Sequence, residues 1–145
     1  MTIFTNSEPE TEAAGALLAG NLPDGAVVAL YGGLGAGKTA FVRGMARGMG
    51  ISAHVSSPTF TIVNEYPGPR ELFHFDMYRL SSAGELFDIG WEDYLSRGGV
   101  CAVEWSENVR DAFEGGEISV SIEITSAEGR KIEIDGVPEP AAYEE

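Results

Sequence analysis

One octapeptide constrains this chain more than any other feature: Gly32-Gly33-Leu34-Gly35-Ala36-Gly37-Lys38-Thr39 fits G-x-x-x-x-G-K-[ST] at every position. Glycine-rich strings are common, and this one gains meaning from its flanks. Before it runs Val27-Val28-Ala29-Leu30-Tyr31, a continuous apolar stretch of the kind that forms a strand covered on both faces. After it, Phe41, Val42, Met45 and Met49 recur at helical spacing over residues 38–49, and Gly50 closes the helix. A strand, a glycine loop and a helix in that order turn successive backbone N–H groups inward and add the positive end of the helix, so the loop is built for phosphate. Lys38 is then placed for the β- and γ-phosphates of a nucleotide, and the Thr39 hydroxyl for Mg²⁺. The loop contacts fall on Gly35, Ala36, Gly37, Lys38, Thr39 and Ala40. A plain glycine turn before a helix has no use for Lys-Thr at that point.

The rest of the chain alternates strand and helix. Ile3-Phe4 begins a short edge strand. Ser7 caps a helix with Glu10 as its capping-box partner, and Ala13, Ala14, Leu17 and Leu18 supply an apolar face. Phe60, Ile62 and Tyr66 fit a strand, Pro67-Gly68-Pro69-Arg70 a turn, and Glu71-Leu72-Phe73-His74-Phe75-Asp76 a second strand. So short a turn makes that pair antiparallel. Ser81 or Ser82, with Glu85, opens a helix through Leu86 and Phe87, and Trp91 and Tyr94 mark another helical piece. Val100-Cys101-Ala102-Val103 is an apolar strand ending in Glu104-Trp105. Ile118, Val120, Ile122 and Ile124 alternate with polar residues, and Ile132 and Ile134 bring the chain back, which predicts a hairpin with one face buried. The expected architecture is a single α/β domain of the P-loop NTPase class over residues 1–136, its mixed parallel and antiparallel central sheet flanked by helices and completed by a C-terminal β-hairpin. Residues 137–145 read as a flexible acidic tail.

Charge and cysteine usage narrow the function classes. The net charge is −14, and from Glu104 onward twelve acidic residues face only Arg110, Arg130 and Lys131. Nucleic-acid binding draws its affinity from Lys and Arg on phosphates, so a strand of nucleic acid is expected on a partner rather than on this chain. The single Cys101 sits within an apolar strand and is expected to be a small core side chain. It can form no internal disulfide, and no basic stretch followed by an apolar segment opens the chain, so a cytoplasmic location is expected.

A nucleotide–Mg²⁺ site needs an acidic residue at the end of a neighbouring strand. Two are available, Asp76 and Glu104, as metal ligand and water-positioning group, and spacing does not say which is which. His74, two residues before Asp76, shares its face of the strand and either orients it or packs. Arg43 and Arg79 are the cations best placed to approach phosphates, with a surface ion pair the commoner fate of such residues. His54 reads as a surface residue. Neither Asn-Lys-x-Asp nor Asp-x-x-Gly occurs, so guanine specificity has no support. No arginine-rich lid is visible either, which disfavours a small-molecule kinase.

Taken together, residues 32–39, Ser57-Pro58-Thr59-Phe60-Thr61-Ile62-Val63-Asn64-Glu65-Tyr66, His74-Phe75-Asp76-Met77-Tyr78-Arg79-Leu80 and Val103-Glu104-Trp105 resemble the TsaE family. The loop is generic, but the other three strings are specific to that family. The resemblance implies a small P-loop ATPase of tRNA threonylcarbamoyladenosine synthesis that joins TsaB and TsaD and reaches tRNA only through them. The modification falls at position 37 of tRNAs reading codons that start with A. The resemblance also implies that ATP and Mg²⁺ are the ligands, with Thr39 and Glu104 holding the metal, Lys38 on the phosphates and Asp76 as the acid needed for hydrolysis. Residues 57–66 become a switch-like segment in which Thr59 or Thr61 senses the γ-phosphate, and Trp105 lies beside the nucleotide. One departure stands out: the family usually has an acidic residue after the first loop glycine, where this chain has Gly33.

Overall fold

The computed structural model describes residues 1–58 and 62–138. Seven strands form one sheet, and its order follows from which apolar runs need cover on two faces. β1 (Thr2–Thr5), β2 (Val27–Tyr31), β3 (Val63–Tyr66), β4 (Leu72–Asp76), β5 (Val100–Glu104), β6 (Ile118–Ile124) and β7 (Arg130–Asp135) lie in the order β1-β7-β6-β2-β5-β4-β3. The most apolar strands, β2, β4 and β5, occupy the interior, and β2 is central, paired in parallel with both β5 and β6. β4 runs parallel to β5, with Asp76 directly opposite Glu104. The antiparallel members sit at the margins, where β3 folds back on β4 and β1 closes the far edge on β7.

The alternation of side chains divides the core in two. On one face, Val28, Leu30, Leu72, Ala102 and Ile118 pack against α1 (Glu8–Ala19) and α2 (Lys38–Gly48). On the other, Phe73, Phe75, Cys101 and Val103 pack against α3 (Ala83–Asp88), α4 (Trp91–Ser96) and Val109. Phe75 meets Trp91 edge-on at 5.2 Å and Tyr94 at 5.1 Å, the geometry aromatic rings prefer. Cys101 lies in this second core as a small apolar side chain, and burial pushes its thiol up to about 12.

The capping box of α1 forms as the sequence implies, whereas at α3 the N-cap Ser82 makes no side-chain capping bond and only the glutamate half forms. Ser7 accepts from the Glu10 amide at 3.2 Å, while the Glu10 carboxylate reaches back to the Asn6 amide at 2.7 Å. Before α3, Glu85 reaches back to the Ser81 amide at 2.8 Å. The buried face of α1 differs from expectation. Ala13 and Leu17 face solvent, and Thr11, Ala14, Gly15, Leu18 and Ala19 are buried instead. The reason is steric: a Cβ on Gly15 would stand 2.1 Å from the Phe41 carbonyl oxygen, so α1 turns its glycine toward α2 and lets the backbones approach. The strand through Phe60 and Ile62 is shorter than expected, starting at Val63, and Phe60 lies outside the described residues. Of the tail, Val137 packs partly against the first core, and residues 139–145 lie outside the described residues. Among the described residues, no helix is long and apolar enough to cross a membrane.

Candidate functional site

The loop between β2 and α2 rises from the carboxyl end of the central strand, where open α/β sheets place their ligand crevices. Three glycines there, Gly32, Gly35 and Gly37, have positive φ, and the first and last bear most on the site. At Gly32, φ is 151° and a Cβ would meet the Ile122 carbonyl oxygen at 2.7 Å. At Gly37, φ is 107°, and this residue caps α2 without a side chain, so the first amides of the helix receive no side-chain acceptor. That is the combination that binds anions at a helix start.

A cavity of about 370 Å³ opens beside the loop. Its walls include Gly35, Ala36, Gly37, Lys38, Thr39 and Ala40 from the loop and helix, with Ser57, Asp76, Tyr78, Glu104 and Trp105 facing them. The sequence-derived site residues therefore converge, except Thr59, which with Thr61 lies outside the described residues. Lys38 donates to the carbonyls of Gly32 and, at 3.0 Å, Gly33, and its ammonium sits 3.8 Å over the Trp105 ring. Burial lowers the Lys38 pKa, opposed by the charges of Glu104, Glu107 and Asp76. The Thr39 hydroxyl donates to Glu104 Oε2 at 2.8 Å. Asp76 is engaged on both oxygens: Ser57 Oγ donates to Oδ2 at 3.1 Å, and the Tyr78 amide donates to Oδ1 at 3.0 Å.

Trp105 lines the cavity and also packs on the second core. Its backbone is left-handed (φ 58°, ψ 42°), an uncommon conformation for a bulky residue, and its ring meets that of Tyr78 at 4.9 Å, tilted by 56°. His74 does not orient Asp76. Its Nε2 lies 2.5 Å from Glu104 Oε2, across the parallel β4–β5 pair. Arg43 lines the cavity but is held by Glu8 at 3.2 Å, Glu12 at 3.3 Å and the Val55 carbonyl at 3.3 Å. Arg79 and His54 are exposed.

Arg130 has a role that its position in the sequence does not announce. Its guanidinium donates to the loop carbonyls of Ala36 at 2.8 Å and Gly35 at 3.2 Å, and to the hairpin-turn carbonyl of Gly129 at 2.7 Å. Lys131, one residue on, points to the other face and pairs with Glu133. The period of two along β7 predicts that separation, but not the contact with residues so distant in the chain.

The donors present suit Mg²⁺. A hydroxyl and a carboxylate 2.8 Å apart at the loop's end are hard oxygen ligands, few in number, as expected for an ion that retains waters and takes phosphate oxygens rather than a full protein cage.

A glycine loop that leaves the central parallel strand of a mixed seven-stranded sheet and opens a helix defines a P-loop fold. The model of the family described as "Threonylcarbamoyl adenosine biosynthesis protein TsaE" matches residues 5–132. The TsaE protein of Treponema pallidum is 37% identical, over 92% of this chain and 99% of its own length. That of Bacillus subtilis is 38% identical, over 92% of this chain and 84% of its own. The crystal structure of Bacillus subtilis YdiB superposes with a TM-score of 0.78 at 31% identity, covering 95% of this chain and 86% of that one. The chain belongs to the TsaE family, a family of threonylcarbamoyladenosine biosynthesis proteins.

Proposed function

We propose that this chain is an Mg²⁺-dependent ATPase that serves threonylcarbamoyl modification of adenosine 37 in tRNAs reading codons that start with A, working with TsaB and TsaD in the cytoplasm. The observation that carries the reading is the convergence of Lys38, Thr39, Glu104 and Asp76 on one cavity beside the glycine loop. Family membership supplies the pathway.

Each residue has a task set by its chemistry. The uncapped amides at the start of α2 and the loop amides bind the β-phosphate. Lys38, now spent on its own loop carbonyls, turns its protons to the incoming phosphates and neutralises charge as it grows on them. Thr39 and Glu104 hold Mg²⁺, which when bound screens the β- and γ-phosphate charge. Asp76 accepts a hydrogen bond from the attacking water on the acceptor site that each of its oxygens keeps beside the donor from the chain. Trp105 covers the Lys38 ammonium and keeps bulk water from it. Few cations stand near the cavity besides Lys38 and the tethered Arg43, so hydrolysis is slow until partners add to the site.

Turnover of ATP by the chain alone and with purified TsaB and TsaD tests this. A rise of at least tenfold on adding both is expected, and equal fast rates in the two conditions would refute partner dependence. A second reading is a nucleotide-dependent binding module that scarcely hydrolyses. It is favoured by the double engagement of Asp76, each of whose oxygens already accepts a donor from the chain itself. Asp76→Asn separates the two: a variant that binds ATP and still supports modification makes hydrolysis dispensable.

A further inference from the structure

His74 has no task in the reading above, yet its setting is unusual. It is fully buried in the middle of β4, on the face that carries Asp76 and the Leu72 side of the first core. An imidazole there costs desolvation that an apolar side chain would avoid. Its Nε2 lies 2.5 Å from Glu104 Oε2, and its Nδ1 is sealed from solvent with no partner among the described residues. A contact that short to a carboxylate oxygen needs a hydrogen between the two atoms. A proton on Nδ1 would be an orphaned donor, so the neutral ring carries its hydrogen on Nε2.

Glu104 Oε2 therefore accepts two donors from different elements, His74 from β4 and Thr39 from α2. Two donors converging on one oxygen fix the torsion of the carboxylate. They also leave Oε1 without a protein donor among the described residues, on a side chain that lines the cavity. If Thr39 alone held Glu104, its hydroxyl would have to hold the carboxylate and face the metal with the same oxygen. The buried imidazole supplies an anchor that needs no metal.

We propose that His74 is a positioning residue for the metal site: its Nε2–H holds Glu104 so that Oε1 faces the Mg²⁺ position. This rests on the assignment of Glu104 as a metal ligand. Hydrogen-bond partners of metal-ligating groups are worth about 10–100-fold in metal affinity. The effect falls on metal binding and not on the phosphate loop, so nucleotide affinity without metal stays unchanged.

The test is a Mg²⁺ titration of binding by a fluorescent ATP analogue to the full-length chain, with a parallel titration in EDTA. Three substitutions separate the roles. His74→Leu removes the donor, His74→Asn keeps an amide that is too short to reach Glu104, and His74→Gln places an amide N–H near the Nε2 position. Leu and Asn are expected to raise the Mg²⁺ half-saturation by about 10–100-fold, with the EDTA affinity of wild type. Gln is expected to remain within about threefold of wild type, as a donor of the same reach. If Leu does not fold, the Asn and Gln pair carries the comparison. Folded Asn with wild-type Mg²⁺ dependence, or Gln as defective as Asn while melting like wild type, overturns the proposal. Glu104→Gln is the control for the underlying assignment. Wild-type Mg²⁺ dependence there refutes Glu104 as the ligand, whatever the His74 variants do.

Discussion

Gly33 has no side chain where the family resemblance leads one to expect an acid, and nothing lies within 4 Å of the position a Cβ would take. Its carbonyl accepts from Lys38 at 3.0 Å and from the Ala36 amide at 3.2 Å, contacts that a side chain at this position leaves in place. The departure therefore has no steric cause, and Gly33→Asp is expected to leave folding stability within about 0.5 kcal/mol, as for other exposed substitutions. Urea unfolding of the variant checks this, and a loss above about 1 kcal/mol would mean that the loop needs glycine here. Other residues at this scale were readable from the sequence to different depths. Lys38 and Thr39 follow from a motif whose spacing is its chemistry. Asp76 and Glu104 were legible as strand-end acids because a strand's end is visible in its apolar run. The partner of His74 was not. Two residues on one strand share a face, but the Glu104 contact depends on the register between β4 and β5, and nothing in either strand encodes that register. Arg130 was hidden for the same reason, since its loop contacts lie 94 and 95 residues away in the chain.

At the scale of elements, the crossing of α1 and α2 sets how the phosphate loop is held. Three glycines let the two helices touch backbone to backbone. A Cβ at Gly44 would lie 1.8 Å from the Glu12 carbonyl oxygen, and one at Gly48 would lie 2.8 Å from that of Ala16. Arg43 and Arg47 then pair across the crossing with Glu8 and Glu12, exposed enough that each pair adds at most about 1 kcal/mol. Glycine inside a helix costs about 0.5–1 kcal/mol relative to alanine, so alanine should help wherever space exists. Gly44→Ala should instead destabilise by about 2 kcal/mol, because the obstruction is backbone and cannot rotate away. Gly20→Ala, with its nearest atom at 3.6 Å, serves as the control and is expected to be neutral or slightly stabilising. Chemical denaturation of both variants decides it, and equal stability would remove the close crossing as the reason for these glycines. The crossing also explains why the buried face of α1 does not follow its hydrophobic spacing. Hydrophobic spacing favoured Leu17, but a glycine contact carries no hydrophobic signal, and Leu17 is left 57% exposed. Helix starts and the C-terminal hairpin were legible through Ser7, Glu10 and the alternating isoleucines, while the parallel insertion of β6 beside β2 was not. Parallel pairing of distant strands leaves no local trace.

For the whole molecule, the question is what an acidic protein can do in a pathway whose substrate is a polyanion. The net charge of −14 already argues against a direct hold on tRNA, and the fold strengthens the argument by showing where the cations are used. Lys38 is buried in the loop, Arg43 and Arg47 pair with Glu8 and Glu12, and Arg70 holds Asp24 and the Leu22 carbonyl. Arg97 bridges Glu65 and Glu71, Lys131 pairs with Glu133, and Arg130 is spent on backbone carbonyls. Arg110 lies over the Tyr31 ring, and Arg79 is exposed. No basic stripe remains of the kind that displaces counterions from a nucleic-acid backbone. The chain alone is therefore expected to bind tRNA more weakly than about 10⁻⁴ M even at low salt, below the ordinary non-specific range. Fluorescence anisotropy of labelled tRNA, titrated with the chain with and without ATP and Mg²⁺, makes the measurement. A dissociation constant in the micromolar range that weakens steeply with salt would show a phosphate-binding surface that these ion pairs do not leave open. Absence of binding for the chain, with binding by the TsaB and TsaD proteins proposed as its partners, would place its effect on the tRNA at one remove.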